Sequence, residues 1–282
     1  MSNIQNKIKF NDLNIFNKKI NNNILKILKK DFDKNEFIFG KSVENLEKVL
    51  KKLTGSKFVC TVGSGTDAIL LCLLSLNLKK GDEIIIPSFS WLSVAEMVLL
   101  CGCKPVYLDT SLSTFNIDEK LIEKKITKKT KGIISTSLFG RSADLFYIKR
   151  ICKKHKLFFI EDAAQNFGSI IKKKNSCNIA DMTITSFFPS KTLGSYGDGG
   201  AIFTNDDKLA KRIKMISNHG EEVKYKHDII GCNSRLDSIQ AEILNIKLKY
   251  LKEYNKNRNL MAKNYNSALT ELSDIKVPKK IK

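Results

Sequence analysis

The chain has 282 residues, enough for one large domain and part of another, and its 42% hydrophobic content is ordinary for a globular protein. Its longest apolar stretch, Ala68–Leu76, is interrupted by Ser75 and falls short of a membrane span. The net charge of +20 raises nucleic-acid binding, but the excess is lysine spread along helix faces, and no zinc-finger or helix-turn-helix pattern accompanies it. The opening MSNIQNKIKF has neither an apolar core nor a small-residue cleavage site, so the expectation is a cytoplasmic protein that binds neither membrane nor nucleic acid. Seven scattered cysteines, with Cys101 and Cys103 as a lone C-x-C, are expected to be reduced thiols without a metal.

In chain order, residues 1–36 form an N-terminal segment to which no element is assigned. Residues 37–236 are expected to be a large domain, within which β-rich runs alternate with amphipathic segments from about residue 55 to 205. Strands are expected at Lys57–Thr61, Glu83–Pro87, Pro105–Asp109, Lys131–Ser137, Leu157–Glu161, Met182–Phe188 and Gly200–Thr204. Helices fall near Thr66–Leu76, Trp91–Cys101, Asp118–Ile126, Ala143–Lys156 and Asp207–Ser217. This alternation predicts an α/β fold: a mostly parallel seven-stranded sheet flanked by helices, with ligands beyond the carboxyl ends of its strands. The last two strands are joined only by a Gly-rich link, which predicts an antiparallel member. From Asp237 to about Glu271 the pattern becomes one or two long helices, with Ile239, Ile243, Ile246, Leu248 and Leu251 on the apolar face. Residues 237–282 are therefore expected to link to, and begin, a smaller domain.

Three segments carry chemistry. The run Leu157–Ile160 delivers Asp162 to a strand end, where a carboxylate needs a positive partner; taken alone, Asp162 reads sooner as a helix cap or surface acid. A second strand ends in Ser186–Phe187–Phe188–Pro189–Ser190–Lys191, followed by a Gly-rich turn. Most lysines are solvated surface charges, whereas a desolvated one at such a place can form a Schiff base. The third segment, Gly63–Ser64–Gly65–Thr66–Asp67, opens an apolar helix, and N–H groups at a helix start bind phosphate. Together they meet the needs of pyridoxal 5'-phosphate: a lysine, an acid for the pyridine nitrogen and a phosphate cradle.

At these residues the chain resembles the DegT/DnrJ/StrS family of nucleotide-sugar aminotransferases, through SGTDA (64–68), EDAAQNFGS (161–169), SFFPSK (186–191), GDGGAIFTND (197–206) and NSRLDSIQAEIL (233–244). The resemblance covers about Phe37 to Leu251. It implies the aspartate-aminotransferase (type I) fold, with Lys191 as the cofactor lysine and proton shuttle and Asp162 against the pyridine nitrogen. Gln165 would meet the ring hydroxyl and Trp91 would stack on the ring. Gly65, Thr66 and Ser186 would hold the phosphate. Asn233 would reach the phosphate in a neighbouring subunit, implying a homodimer with shared sites, and Arg235 would contact an anionic substrate.

The implied reaction moves an amino group from L-glutamate to a keto-sugar nucleotide. Within the family the motifs are most similar to those of enzymes aminating UDP-2-acetamido-2-deoxy-3-oxo-glucuronate for surface polysaccharide such as O-antigen. A C4 aminotransferase acting on another UDP- or dTDP-keto-sugar stays open, as does a pyridoxal-phosphate-binding pseudoenzyme or regulatory protein. Sugar dehydratases of this fold replace the lysine with histidine, which Lys191 opposes. Two departures stand out: Ser137 occupies a position where many members have histidine, and members usually continue well past residue 282, implying an incomplete small domain. His155, His219 and His227 receive no catalytic role.

Overall fold

A computed structural model describes residues 12–13, 17–18, 20–33 and 35–278; the remainder of the N-terminal segment and the last four residues lie outside the described residues. Among the described residues two helices precede the first strand, α1 (Asn21–Phe32) and α2 (Lys41–Thr54), and neither is among the expected elements. In α2, Val43, Leu46 and Leu50 recur at helical spacing and form one buried stripe. Gly55 ends that helix in the left-handed region at φ 75°, its N–H donating to the Lys51 carbonyl, a conformation that favours glycine.

The chain then alternates: β1 (Phe58–Val62), α3 (Gly65–Leu74), β2 (Glu83–Pro87), α4 (Ser93–Leu100), β3 (Lys104–Leu108), α5 (Ile122–Lys125), β4 (Thr130–Thr136), α6 (Leu145–His155) and β5 (Phe158–Asp162). After two short strands, β6 (Ile170–Ile171) and β7 (Lys174–Asn175), come β8 (Met182–Ser186), β9 (Gly200–Thr204) and α7 (Asp207–Ser217). A small hairpin, β10 (Glu221–Val223) with β11 (Lys226–His227), leads to α8 (Ser238–Leu248) and α9 (Leu251–Leu269).

All seven expected strands form one sheet in the order β1-β9-β8-β5-β4-β2-β3. Every neighbouring pair is parallel except those made by β9, which runs antiparallel to both β1 and β8. Central strands such as β2 (EIIIP) are buried on both faces, which is why they read as continuous apolar runs. On one side, Ile69 and Leu73 of α3, Val98 of α4 and Ile213 of α7 pack on the sheet; on the other, Leu145, Ile148 and Cys152 of α6 do so. Helices α2 and α8 share a further core with Phe187 and Phe203. All seven cysteines are free thiols, and no helix among the described residues is long and apolar enough to cross a membrane.

One expected helix comes out differently, and the stretch after Asp237 takes one of its two expected forms. The segment 118–126 is a 3-10 turn, Glu119–Leu121, followed by the single turn of α5, because Ile126 is already extended and Thr127 folds back, its hydroxyl donating to Glu83 Oε2 at 2.6 Å. The stretch after Asp237 is two helices. The N–H groups of Lys249 and Tyr250 bond to Ile246 and Lys247, three residues back, which tightens the last turn before Leu251 enters the core.

Candidate active site

The parallel register sets Thr136 of β4 beside Asp162 of β5, and Asp162 beside Ile184 of β8, so these strand ends open at one edge. A cavity of about 350 Å³ lies there, within the usual range for small-molecule sites of roughly 300–1,000 Å³. Gly65, Thr66, Trp91, Asp162, Gln165, Ser186 and Lys191 all line it. Seven of the nine expected site residues are thus brought together from widely separated segments.

Asp162 is buried, and its Oδ1 accepts the Ala164 N–H at 3.0 Å. Burial pushes its carboxyl above the ordinary range, while that N–H and the charge of Lys191 pull it back. A cationic ring nitrogen in the cavity would add to the same compensation. The preceding residue, Glu161, lies on the opposite face of the strand and is fully buried. It accepts the Ser137 hydroxyl at 2.7 Å and the Thr183 hydroxyl at 3.4 Å. Burial pushes Glu161 up to about 7, with the Asp162 charge acting in the same sense against these hydrogen bonds. Ser137 does not line the cavity and instead satisfies Glu161.

Lys191 sits in the turn between β8 and β9. That turn is closed by backbone bonds: Lys191 N–H to Phe188 O at 2.9 Å, Ser195 N–H to Phe187 O at 2.7 Å, and Phe187 N–H to Gly199 O at 2.7 Å. The buried Ser195 hydroxyl also lies 2.8 Å from Phe187 O and 2.7 Å from Gly197 O. Lys191 further borders a second cavity of about 830 Å³, which reaches Arg258 and Asn259 on α9.

One end of the cavity is built by α3. Ser64 caps it, its hydroxyl accepting the Asp67 N–H at 3.0 Å, and the N–H groups of Gly65 and Thr66 in the first turn have no intrahelical acceptor. Gly65 touches the end of β8 so closely that a Cβ there would stand 2.7 Å from Ser186 Cβ. Only glycine permits that approach, which gathers the backbone donors and the Ser186 hydroxyl into one anion cradle. Gln165 uses its Oε1 to accept the Phe139 N–H at 2.9 Å, leaving its amide nitrogen for a ligand. Trp91 borders the cavity while 76% exposed, so it forms an outer wall.

Asn233 and Arg235 line neither cavity. Asn233 is exposed and bridges the Asn218 backbone; Arg235 Nη1 donates to Asn218 Oδ1 at 3.0 Å, its guanidinium 5.6 Å from the Phe39 ring. Between them, Ser234 donates to Asp67 Oδ2 at 2.8 Å and accepts the Gly63 N–H at 3.2 Å, tying this segment to the start of α3. The polar lining residues outside the expected site set are Ser64, Ser93, Thr136, Ser190 and Asp198; for Asp198 the surrounding glycines were the available signal.

A lysine and a buried carboxylate facing one cavity, with an anion-binding helix start beside them, make a site whose donor set fits pyridoxal 5'-phosphate. Such a set of groups suits an enzyme that links its cofactor to a lysine. The DegT/DnrJ/EryC1/StrS aminotransferase family matches residues 18–282, and the chain belongs to that pyridoxal-phosphate-dependent family. It is 45% identical over 237 residues to the UDP-2-acetamido-2-deoxy-3-oxo-D-glucuronate aminotransferase of Pseudomonas aeruginosa, covering 84% of this chain and 66% of that protein. Among solved structures, S. venezuelae DesV in complex with a ketimine intermediate aligns with a TM-score of 0.95 at 31% identity, covering 98% of this chain and 74% of that one. NtdA from Bacillus subtilis, with bound cofactor PMP, aligns at 0.90 and 37% identity, covering 95% and 62%. The chain spans about two thirds of the length of the curated relatives it matches.

Proposed function

We propose that this chain is a pyridoxal-phosphate-dependent aminotransferase that moves an amino group from L-glutamate to a keto-sugar nucleotide. The observation that carries this reading is the convergence of Lys191, Asp162 and the Gly65–Thr66–Ser186 cradle on one cavity. When bound, the cofactor supplies an electron sink and carries the amino group between donor and acceptor. Asp162 holds the proton on the ring nitrogen, its burial keeping that charge pair away from water. Lys191 anchors the cofactor and moves the substrate proton, Gln165 and Trp91 fix the ring, and the α3 donors orient the phosphate.

The substrate proposed is UDP-2-acetamido-2-deoxy-3-oxo-glucuronate, in synthesis of surface polysaccharide such as O-antigen. The Pseudomonas aeruginosa relative supports it, and so does the cationic lining of the larger cavity, whose charged members are Lys191 and Arg258. Asn233 and Arg235 lie outside their own chain's cavity, which supports a homodimer in which they serve the neighbouring site. The exposed Phe89, Phe115 and Phe139, clustered with centroids 6.2–6.5 Å apart near the cavity, supply apolar surface for such pairing. Residues 37–236 would be the large domain and 237–282 the start of a smaller one, in a cytoplasmic protein.

Protein loaded with pyridoxal phosphate should show a visible absorbance band that L-glutamate bleaches and the keto-sugar nucleotide restores. A band indifferent to glutamate would refute transamination, and a product aminated at C4 would replace the proposed substrate.

A further inference from the structure

Lys247 differs from the other lysines of this basic chain. It lies in the last turn of α8 and is 6% exposed, and no carboxylate meets it among the described residues. Its Nζ donates to the Gly194 carbonyl at 2.6 Å and stands 4.5 Å from the centroid of the Tyr196 ring. A buried ammonium is costly, and here one carbonyl and one aromatic face compensate it. Burial pushes Lys247 down to about 8, so the compensation is incomplete. An apolar side chain of similar size would avoid that cost, at the loss of one donor to the Gly194 carbonyl. The contact therefore asks for an explanation other than folding energy.

That explanation lies in what Gly194 and Tyr196 belong to. Both follow Lys191 in the turn between β8 and β9. Gly194 closes that turn tightly, since a Cβ there would stand 2.4 Å from Pro189 O. The same face of α8 makes a second attachment: seven residues earlier, Gln240 Oε1 accepts the Tyr196 N–H at 2.9 Å. A third comes from α1, where Asn21 Oδ1 accepts the Tyr196 hydroxyl at 2.5 Å. Lys191, Gly194 and Lys247 line one small cleft behind the turn.

We propose that Lys247 is a positioning residue, which with Gln240 clamps the Lys191 turn onto α8 and so fixes where the Lys191 amine meets the cofactor. The inference rests on Lys191 being the cofactor lysine, but the clamp itself is a property of the protein chain. Besides its own bonds, the Asn21 contact and the buried Leu193, the turn is tied to the rest of the structure chiefly through the polar contacts of α8.

Hydrogen exchange of the full chain without cofactor tests the clamp directly. Lys247→Met should speed exchange of the amides at 191–197 by about tenfold, the effect of one lost charge-assisted hydrogen bond, while β5 and β8 keep wild-type rates. Gln240→Ala should do the same more weakly, and Lys247→Arg should restore protection. With pyridoxal phosphate bound, Lys247→Met should release cofactor about tenfold faster and lower kcat more than it raises KM for glutamate. Exchange that is unchanged, or raised equally throughout, overturns the proposal, as does a locally loosened turn with wild-type cofactor release. Should Lys247→Met not fold, Gln240→Ala decides on the same criteria. If the wild-type chain binds no pyridoxal phosphate, the proposed function falls while the exchange result still decides the clamp.

Discussion

The turn between β8 and β9 has two sides, and they are built from opposite materials. Its front presents Lys191 to a cavity whose other walls are strand ends and a helix start, with Asp162 and Ser186 delivered by neighbouring strands. Its back rests on α8, whose Lys247 and Gln240 are spent on backbone groups of the turn and reach no cofactor cavity. Front residues are chosen for what they do to a ligand; back residues hold the front ones still. Loss of a front residue should remove chemistry while the fold survives, whereas loss of support should alter stability or precision first.

The largest expected effect is at the front. Lys191→Ala should lower transamination by roughly 10³-fold or more, with a circular dichroism spectrum like that of the parent. Asp162→Asn should follow, with a loss of roughly 10²-fold, because the neutral amide no longer stabilises a protonated ring nitrogen. Either variant retaining near-parental rates would erase the distinction between the two sides. Behind the site, Leu46→Ala in α2 opens a hole at a fully buried position and should cost about 2–5 kcal/mol in a urea melt. That variant should keep kcat within about twofold while it remains folded, because Leu46 touches the site only through the shared core.

The smallest effect sharpens the boundary between the sides. Glu161 is raised from 4.5 to about 7 in the fold, so folding favours its protonated form. Its stabilising contribution is complete below about 4.5 and is lost as pH rises towards 7. Glu161→Gln stays neutral throughout and should flatten that decline, a difference on the order of 2–3 kcal/mol between unfolding measurements at pH 4.5 and 7.5. Parallel pH profiles for the two proteins would show that Glu161 is ionised in the fold.

How much of this was legible in the sequence follows the same division. The front was readable because its parts are local: each strand is a continuous apolar run that ends in the residue of interest, and Gly65 sits immediately before an apolar helix. All seven strands, and an antiparallel member among the last of them, were expected. Helix α2 was equally readable, since Val43, Leu46 and Leu50 mark one face between Gly40 and Gly55, but it lay next to a segment assigned no element. The back was not legible. Lys247 stands between Ile246 and Leu248 in a helix expected to show one solvated face, and its burial comes from a turn about fifty residues earlier. Likewise α8 packs against α1 through Ile243 and Ile246 and against α2 through Ala241 and Leu244, leaving little of it polar and exposed. Nor does spacing show that Asn233 and Arg235 lie outside their own chain's cavity, because the Ser234–Asp67 tether that places them joins residues far apart in sequence.

The central claim, that Lys191 is the cofactor lysine, is tested most directly by borohydride reduction of the pyridoxal-phosphate-loaded chain followed by peptide mapping. The account predicts one phosphopyridoxyl group per chain, on Lys191, and none in Lys191→Ala. Stoichiometric labelling of another lysine, or equal labelling of the variant, would contradict it.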